Sequence, residues 1–363
     1  MNKNRARKGV LELNLGIALL ILAVSWFSPM SAVIAGPQIQ ITPMETVIPE
    51  GTPTIPWVAD GDNSWYAGKT LFEVTANDNP DLSAKGWMAV TSGNILIHAV
   101  VHHIAHLSGN DISALFAGDA IQFGIDPLGR GGEQPALGEV PDGADPRVKA
   151  KIEKNNLAIT EGNETEMQVE DQDFCVGTLG EKAIPAVYSY YSGHSALGER
   201  SLVHATVKRD EAAQTTTYDM AIPWSEFGLT GCLSPLMRVS FQFNNTKGKL
   251  GDQTRISWGG GVGGRFAPWK FQPVAIGAPP AGSTVAALGL VKPYVYGSED
   301  FVEAYAVVQG VKGTFTAQFG EMSKTLNVAP EDKPTFQRYS IRAYPGLLRG
   351  SINFKVALAN GVI

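Results

Sequence analysis

Between residues 215 and 276 the chain has little freedom in what it can fold into. Val239-Ser240-Phe241-Gln242-Phe243-Asn244 alternates apolar and polar side chains one for one, which puts three apolar groups on one face of an extended strand and the polar ones on the other. Before it, 215–222 predicts another strand, and Pro223-Trp224 opens a short helix directly after it. Proline suits a first helical turn, where its missing N–H leaves no bond unmade, and it pushes Ile222 toward extended backbone. A strand ending in Ile256-Ser257-Trp258, a glycine-rich turn and a closing strand to Ile276 complete the series.

The rest of the chain reads in the same idiom. With 363 residues there is room for a leader and two domains, and 40 Gly and 22 Pro set among short β-rich runs favour sandwiches over helical bundles. A net charge of −6 leaves no basic footprint, so nucleic acid is excluded as an expected partner. Residues 1–35 read as a signal peptide: Lys3, Arg5, Arg7 and Lys8, then a short apolar run, then Val33-Ile34-Ala35 as the cleavage site. The alternative is an uncleaved membrane anchor. A secreted, periplasmic or otherwise extracellular location follows from the signal reading, with no membrane contact beyond that segment.

Residues 36–54 are expected to be an extended lead, and 55–278 a first antiparallel β-sandwich. Within it 95–104 is apolar at nearly every position, which predicts a central strand buried on both faces. Residues 127–172 turn abruptly to Gly, Pro, Asp, Glu and Lys and read as a surface insertion, with a helical turn near 147–154. Pro279-Pro280-Ala281-Gly282-Ser283 marks a boundary, and the short alternating strands of 284–363 suggest a smaller immunoglobulin-like sandwich. The chain stops on a strand-like run, so a further C-terminal domain is an open expectation.

The order Tyr218-Asp219-Met220-Ala221-Ile222-Pro223-Trp224, then FQFNN, then ISW, resembles the closing half of carbohydrate-binding module family 9 and of the wider DOMON-like β-sandwiches. Asp60-Gly61 followed by Trp65, the strand ending in His103, and Gly118-Asp119-Ala120-Ile121-Gln122-Phe123-Gly124-Ile125-Asp126 match its opening half. The resemblance implies an all-β fold and non-catalytic binding of a polysaccharide or oligosaccharide, tethering whatever is attached. In that family two tryptophans clamp a sugar between polar side chains. The matching positions here are Phe116, and Phe266 or Trp269; Gln122 stands at the family's Glu, Asn244 is a candidate rim side chain, and Cys175 replaces an Arg. Trp65, Trp224 and Trp258 match structural tryptophans and are expected in the core.

Other chemistries have weaker support. His98, His102, His103 and His106 invite a metal, but on a strand His98 and His102 share one face while His103 points the other way. Haem is the second reading, from DOMON-like relatives that use Met and His axial ligands; Met88 or Met237 with a strand histidine are the candidate pairs. No cofactor is expected, with calcium as an option at Asp60, Asp62 and Asp119. No paired carboxylates or nucleophile elbow support an enzyme. Cys175 and Cys232 either form a disulfide or remain two buried thiols. A purely structural adhesion module is the remaining alternative.

Overall fold

The computed structural model describes residues 38–292 and 301–358, leaving aside 63, 78, 80, 132–139, 141–142, 144, 148, 151, 154–170, 193–195, 247–248, 264–265, 311–312, 320–321, 329–336 and 345–351. Residues 1–35, read as a signal peptide, most of 127–172, read as an insertion, and the residues after 358 lie outside the described residues. Among the described residues no helix is long and apolar enough to cross a membrane. The chain forms two compact units, one of them Thr46–Gly228 with Ser234–Ala278.

That larger unit is a sandwich of two sheets. Five antiparallel strands lie in the order His204–Asp210, Thr215–Pro223, Asn94–His102, Ser83–Val90, Phe72–Thr75. The facing sheet runs Thr54–Ile55, Gln272–Ile276, Leu236–Thr246, Ala120–Asp126, Gln172–Leu179, Ile184–Ser189, Gly198–Glu199, with Gln253–Trp258 paired along the second half of Leu236–Thr246. The alternation of 239–243 does what its period demands: Val239, Phe241 and Phe243 are buried beside Ile121, Phe123 and Ile125 of the neighbouring strand. Phe72 of the opposite sheet meets them, its ring centroid 4.9 Å from that of Phe241 and 5.7 Å from that of Phe243. The Phe72 ring lies against its neighbour strand at Gly86, where a Cβ would stand 2.2 Å from Cζ.

Pro223 does lead directly into a helical turn, Trp224–Phe227, of 3-10 type. Gly228 ends it in the left-handed region at φ 69°, a conformation that costs glycine least. Trp224 is buried and its Nε1–H donates to the Thr91 carbonyl at 3.1 Å. One strand departs from expectation. Asn94–His102 is buried on alternate residues only, because its sheet has a solvent side, and Leu96, His98, Val100 and His102 lie on that side half-buried.

The smaller unit gathers, among the described residues, 38–45, 229–233 and those from Pro279 onward. Gln38–Met44, Gln337–Tyr344, Val302–Gln309 and Val285–Lys292 form one antiparallel sheet in that order, and Met322–Val328, Gly313–Phe319 and Ile352–Leu358 form a second. The four-and-three division is that of an immunoglobulin constant domain, with a neighbour order of its own. Ala306, Val308, Ala317 and Ile341 make the core, with Ile39 and Ile41 packed on it. Within the stretch read as an extended lead, Gln38–Met44 is an edge strand whose isoleucines pack on this core. Glycine is needed at 289, since a Cβ there would stand 2.4 Å from Leu229 Cδ2 and 2.6 Å from Leu233 Cδ1.

Candidate functional site

The residues proposed as a sugar clamp sit on the outer face of the larger sheet, and the structure brings only part of them together. Gln122 and Asn244 share that face through the pairing of Ala120–Asp126 with Leu236–Thr246. Gln122 Oε1 accepts from Gln242 Nε2 at 3.2 Å and from Asn244 Nδ2 at 3.3 Å, and Gln242 Nε2 also donates to Asn244 Oδ1 at 2.9 Å. The ladder is buried and bonds to itself. Gly263, at φ 78°, presses on it, so that a Cβ there would stand 2.1 Å from Gln242 Nε2.

Phe266 cannot serve as a clamp ring. It is 1% exposed, stacked on Tyr191 at 5.5 Å and edge-on to Phe271 at 5.3 Å. Phe271 in turn lies over Gly124, where the absent side chain leaves room for its ring, and this draws the 266–271 segment onto the sheet. Trp269 is half-buried, and its Nε1–H has no acceptor among the described residues. Phe116 stays 38% exposed, edge-on to Tyr190 at 5.6 Å. Its segment packs at the Ala120 end of Ala120–Asp126, through Leu115. The Pro268–Lys270 turn meets the other end, where a Cβ at Gly131 would stand 2.9 Å from both Pro268 O and Asp126 Oδ2. The two aromatic segments do not converge on one notch.

An open groove of about 720 Å³ lies instead on the solvent side of the five-stranded sheet, walled by Tyr66, Asp60, Asp62, Asn94, Thr206 and Asp219 among others. Strand register builds its floor: Thr206 pairs with Asp219, Asp219 with His98, and His98 with Trp87, a row across four strands on one face. His98 Nδ1 lies 2.6 Å from Asp219 Oδ1. Tyr66 stacks on the imidazole at 4.5 Å and 17°, Trp87 leans on it at 5.2 Å, and Trp65 meets it edge-on at 6.5 Å. Trp65 is therefore half-buried in the groove wall, outside the core in which it was expected, whereas Tyr66 is 41% exposed. The Asp219 side chain is 42% exposed against 13% for His98. The His98 hydrogen bond, ahead of every other cause, holds the Asp219 carboxyl below the usual carboxylate range. The groove thus presents a fixed carboxylate beside an open aromatic face.

The metal and haem candidates separate. Asp60 accepts from Ser92 Oγ at 2.6 Å and Asp62 from Ser64 N at 2.8 Å, both beside the groove. Asp119 is buried, accepting from Thr246 N at 2.6 Å and from Leu107 N, so the three carboxylates do not form one site. Among the described residues no cluster of three or more His, Cys, Asp or Glu could hold a metal ion. His102 Nδ1 lies 2.8 Å from the Asp81 carbonyl, His103 Nε2 2.7 Å from Thr216 Oγ1, and His106 Nε2 3.0 Å from Thr178 Oγ1. Met88 pairs with Ile97 and is buried with it, on the face opposite His98, and Met237 is buried too. No disulfide joins Cys175 and Cys232; both thiols are buried, and burial pushes that of Cys175 well up.

Burial also displaces groups outside the groove. It raises Asp119 to about 6 and Asp173 to about 7, and lowers His103 to about 4.

The sequence marks Asp219 as part of a family pattern and as a carboxylate with no pairing signal, and Tyr66 not at all. The alternation that sets His98 and His103 on opposite faces is visible in the sequence; which face meets solvent, and the partner across the sheet, are not.

No family model and no curated protein matches the chain. Among solved structures it is similar to a carbohydrate-binding module of family 9 from Caldicellulosiruptor kristjanssonii in complex with cellotriose, at 12% identity and a TM-score of 0.39, over 61% of this chain and 92% of that one. The same module in complex with glucose is similar at 12% identity and a TM-score of 0.37, over 62% and 92%.

Proposed function

We propose that the larger sandwich binds carbohydrate without catalysing a reaction, as part of an exported protein that holds itself or an attached partner to a polysaccharide. The observation that carries this reading is the groove over the five-stranded sheet, where Tyr66 offers an open ring beside the fixed Asp219 carboxylate. Pyranose C–H faces stack on such rings, and the hydroxyls at their rim need placed acceptors and donors. Asp219, Asn94 and Thr206 supply both kinds around one aromatic platform. The motif series from Asp60 to Trp258 is a second, independent support. A single platform with few polar contacts binds weakly, with Kd on the order of micromolar to millimolar.

The deciding experiment is a glycan array with the protein and its Tyr66→Ala variant. Glycans retained by the first and lost by the second support the reading. Retention that survives Tyr66→Ala and disappears with Phe116→Ala returns the site to the larger sheet. No retained glycan at all leaves the sandwich as a structural module.

A further inference from the structure

We infer that the groove over the five-stranded sheet selects saccharides bearing a protonated amine, free amino sugars, over neutral or acidic ones. The inference rests on the saccharide reading of the same groove.

The histidine–aspartate pair is the first reason. In a catalytic pair the carboxylate is buried behind an imidazole that faces the substrate. Here the order is inverted. His98 is boxed by Tyr66, Trp65 and Trp87, and its Nδ1–H is spent on Asp219, whose carboxylate is the exposed member. Asp219 Oδ2 has Thr206 Oγ1 at 3.4 Å, a long contact that leaves the oxygen able to accept from a ligand. The pair is built to hold a charge toward solvent and is badly placed to move a proton.

The groove's charge is the second reason. Asp60 and Asp62 join Asp219 along the wall, where His204 is the one basic side chain among the described residues. Hydrogen bonds from serine side chains and backbone keep Asp60 and Asp62 ionised. Lys208 sends some positive potential to Asp219 as the smallest contribution there. Tyr66 adds a ring face, which attracts a cation as well as a C–H surface. An acidic or N-acetylated sugar would meet repulsion or lose the ion pair, whereas an ammonium on a sugar ring stacked over Tyr66 meets carboxylates on the rim.

The test is calorimetric titration of the full protein with hexamers of β-1,4-linked glucosamine, of N-acetylglucosamine and of glucose, and with trilysine, at about pH 5.5 where amine and Asp219 are both charged. The expected result is about tenfold tighter binding of the glucosamine hexamer than of the other two, close to 1.4 kcal/mol, and a loss of that preference in ~0.5 M salt. Asp219→Asn should remove the preference, weakening the glucosamine hexamer about tenfold and the neutral hexamers by less, and Tyr66→Ala should weaken all three. Equal binding of the three hexamers that still depends on Tyr66 overturns amine selection and keeps the saccharide reading. Trilysine binding as tightly as glucosamine hexamer overturns the claim that a sugar is selected. Binding of no hexamer overturns both.

Discussion

His98 Nδ1 and Asp219 Oδ1 stand 2.6 Å apart, although 121 residues separate them along the chain. Their strands, Asn94–His102 and Thr215–Pro223, are direct neighbours, and the register places the two residues opposite one another. The contact does two things. It anchors an exposed carboxylate in the groove, and it ties the first part of the sandwich to the last. Cross-strand pairs of this kind contribute about 0.2–1 kcal/mol each.

Tyr66→Ala is expected to weaken glycan binding strongly while costing only about 0.5–1.5 kcal/mol of stability, the worth of one ring stack such as that on His98. Tm and binding measured on the same preparation check this; a Tm that collapses with the binding would reassign Tyr66 to structure.

Asp219→Asn should flatten the acid limb of the stability curve. The folded carboxyl lies below its ordinary value of 3.8, so its contribution is present above that value and is lost as pH falls through the lower folded one. Denaturant midpoints between about pH 2 and 5 would show the wild type losing more than the variant.

At Asp173 the sign reverses. The folded carboxyl is raised to about 7 from 3.8, by burial, so the folded state holds its proton across that window and stability falls as pH rises through it. Asp173→Asn keeps an oxygen for the Tyr190 N–H, which Asp173 Oδ1 accepts at 3.1 Å. The variant should match the wild type near pH 4 and exceed it at pH 8, by a few kcal/mol at most at about 1.4 kcal/mol per unit. Equal midpoints at pH 8 would contradict the assignment.

His103 opposes Asp173. Burial, ahead of the Arg209 charge, lowers its folded pKa from 6.5 to about 4, so the unfolded chain binds the extra proton in that window and stability rises with pH through it. His103→Gln removes this rising component. Its stability should then gain less than the wild type's as pH rises from about 4 to 6.5, a slope difference that proton uptake on unfolding measures directly.

Gly86→Ala is expected to cost about 1–3 kcal/mol as overpacking. The added Cβ would lie 2.2 Å from Phe72 Cζ, and that ring sits 4.9 Å from Phe241 in the contact between the two sheets. Urea unfolding gives the number; an unchanged midpoint would mean that Phe72 can turn aside freely.

Local pattern went a long way toward this fold. Alternation at 239–243, the Pro223–Trp224 start of a helical turn and the opposite orientation of His98 and His103 are all properties of neighbouring residues. A backbone with period two or a proline ring enforces them wherever the strand lies. Pairing is a different matter, because register and strand order are set by the burial of whole faces against each other. The edge strand Gln38–Met44 pairs with residues some three hundred positions later, from Tyr344 to Arg338. Nothing in its own seven residues names that partner. Phe266 read as a loop aromatic open to a ligand, yet Gly124 leaves space for Phe271, and the segment folds down until Phe266 is buried. The groove arises the same way. The chain alone determined that His98 and His103 point to opposite sides of one strand; the sheets decided which side meets solvent and set His98 beside Asp219 under Tyr66, because only packing brings distant faces into register.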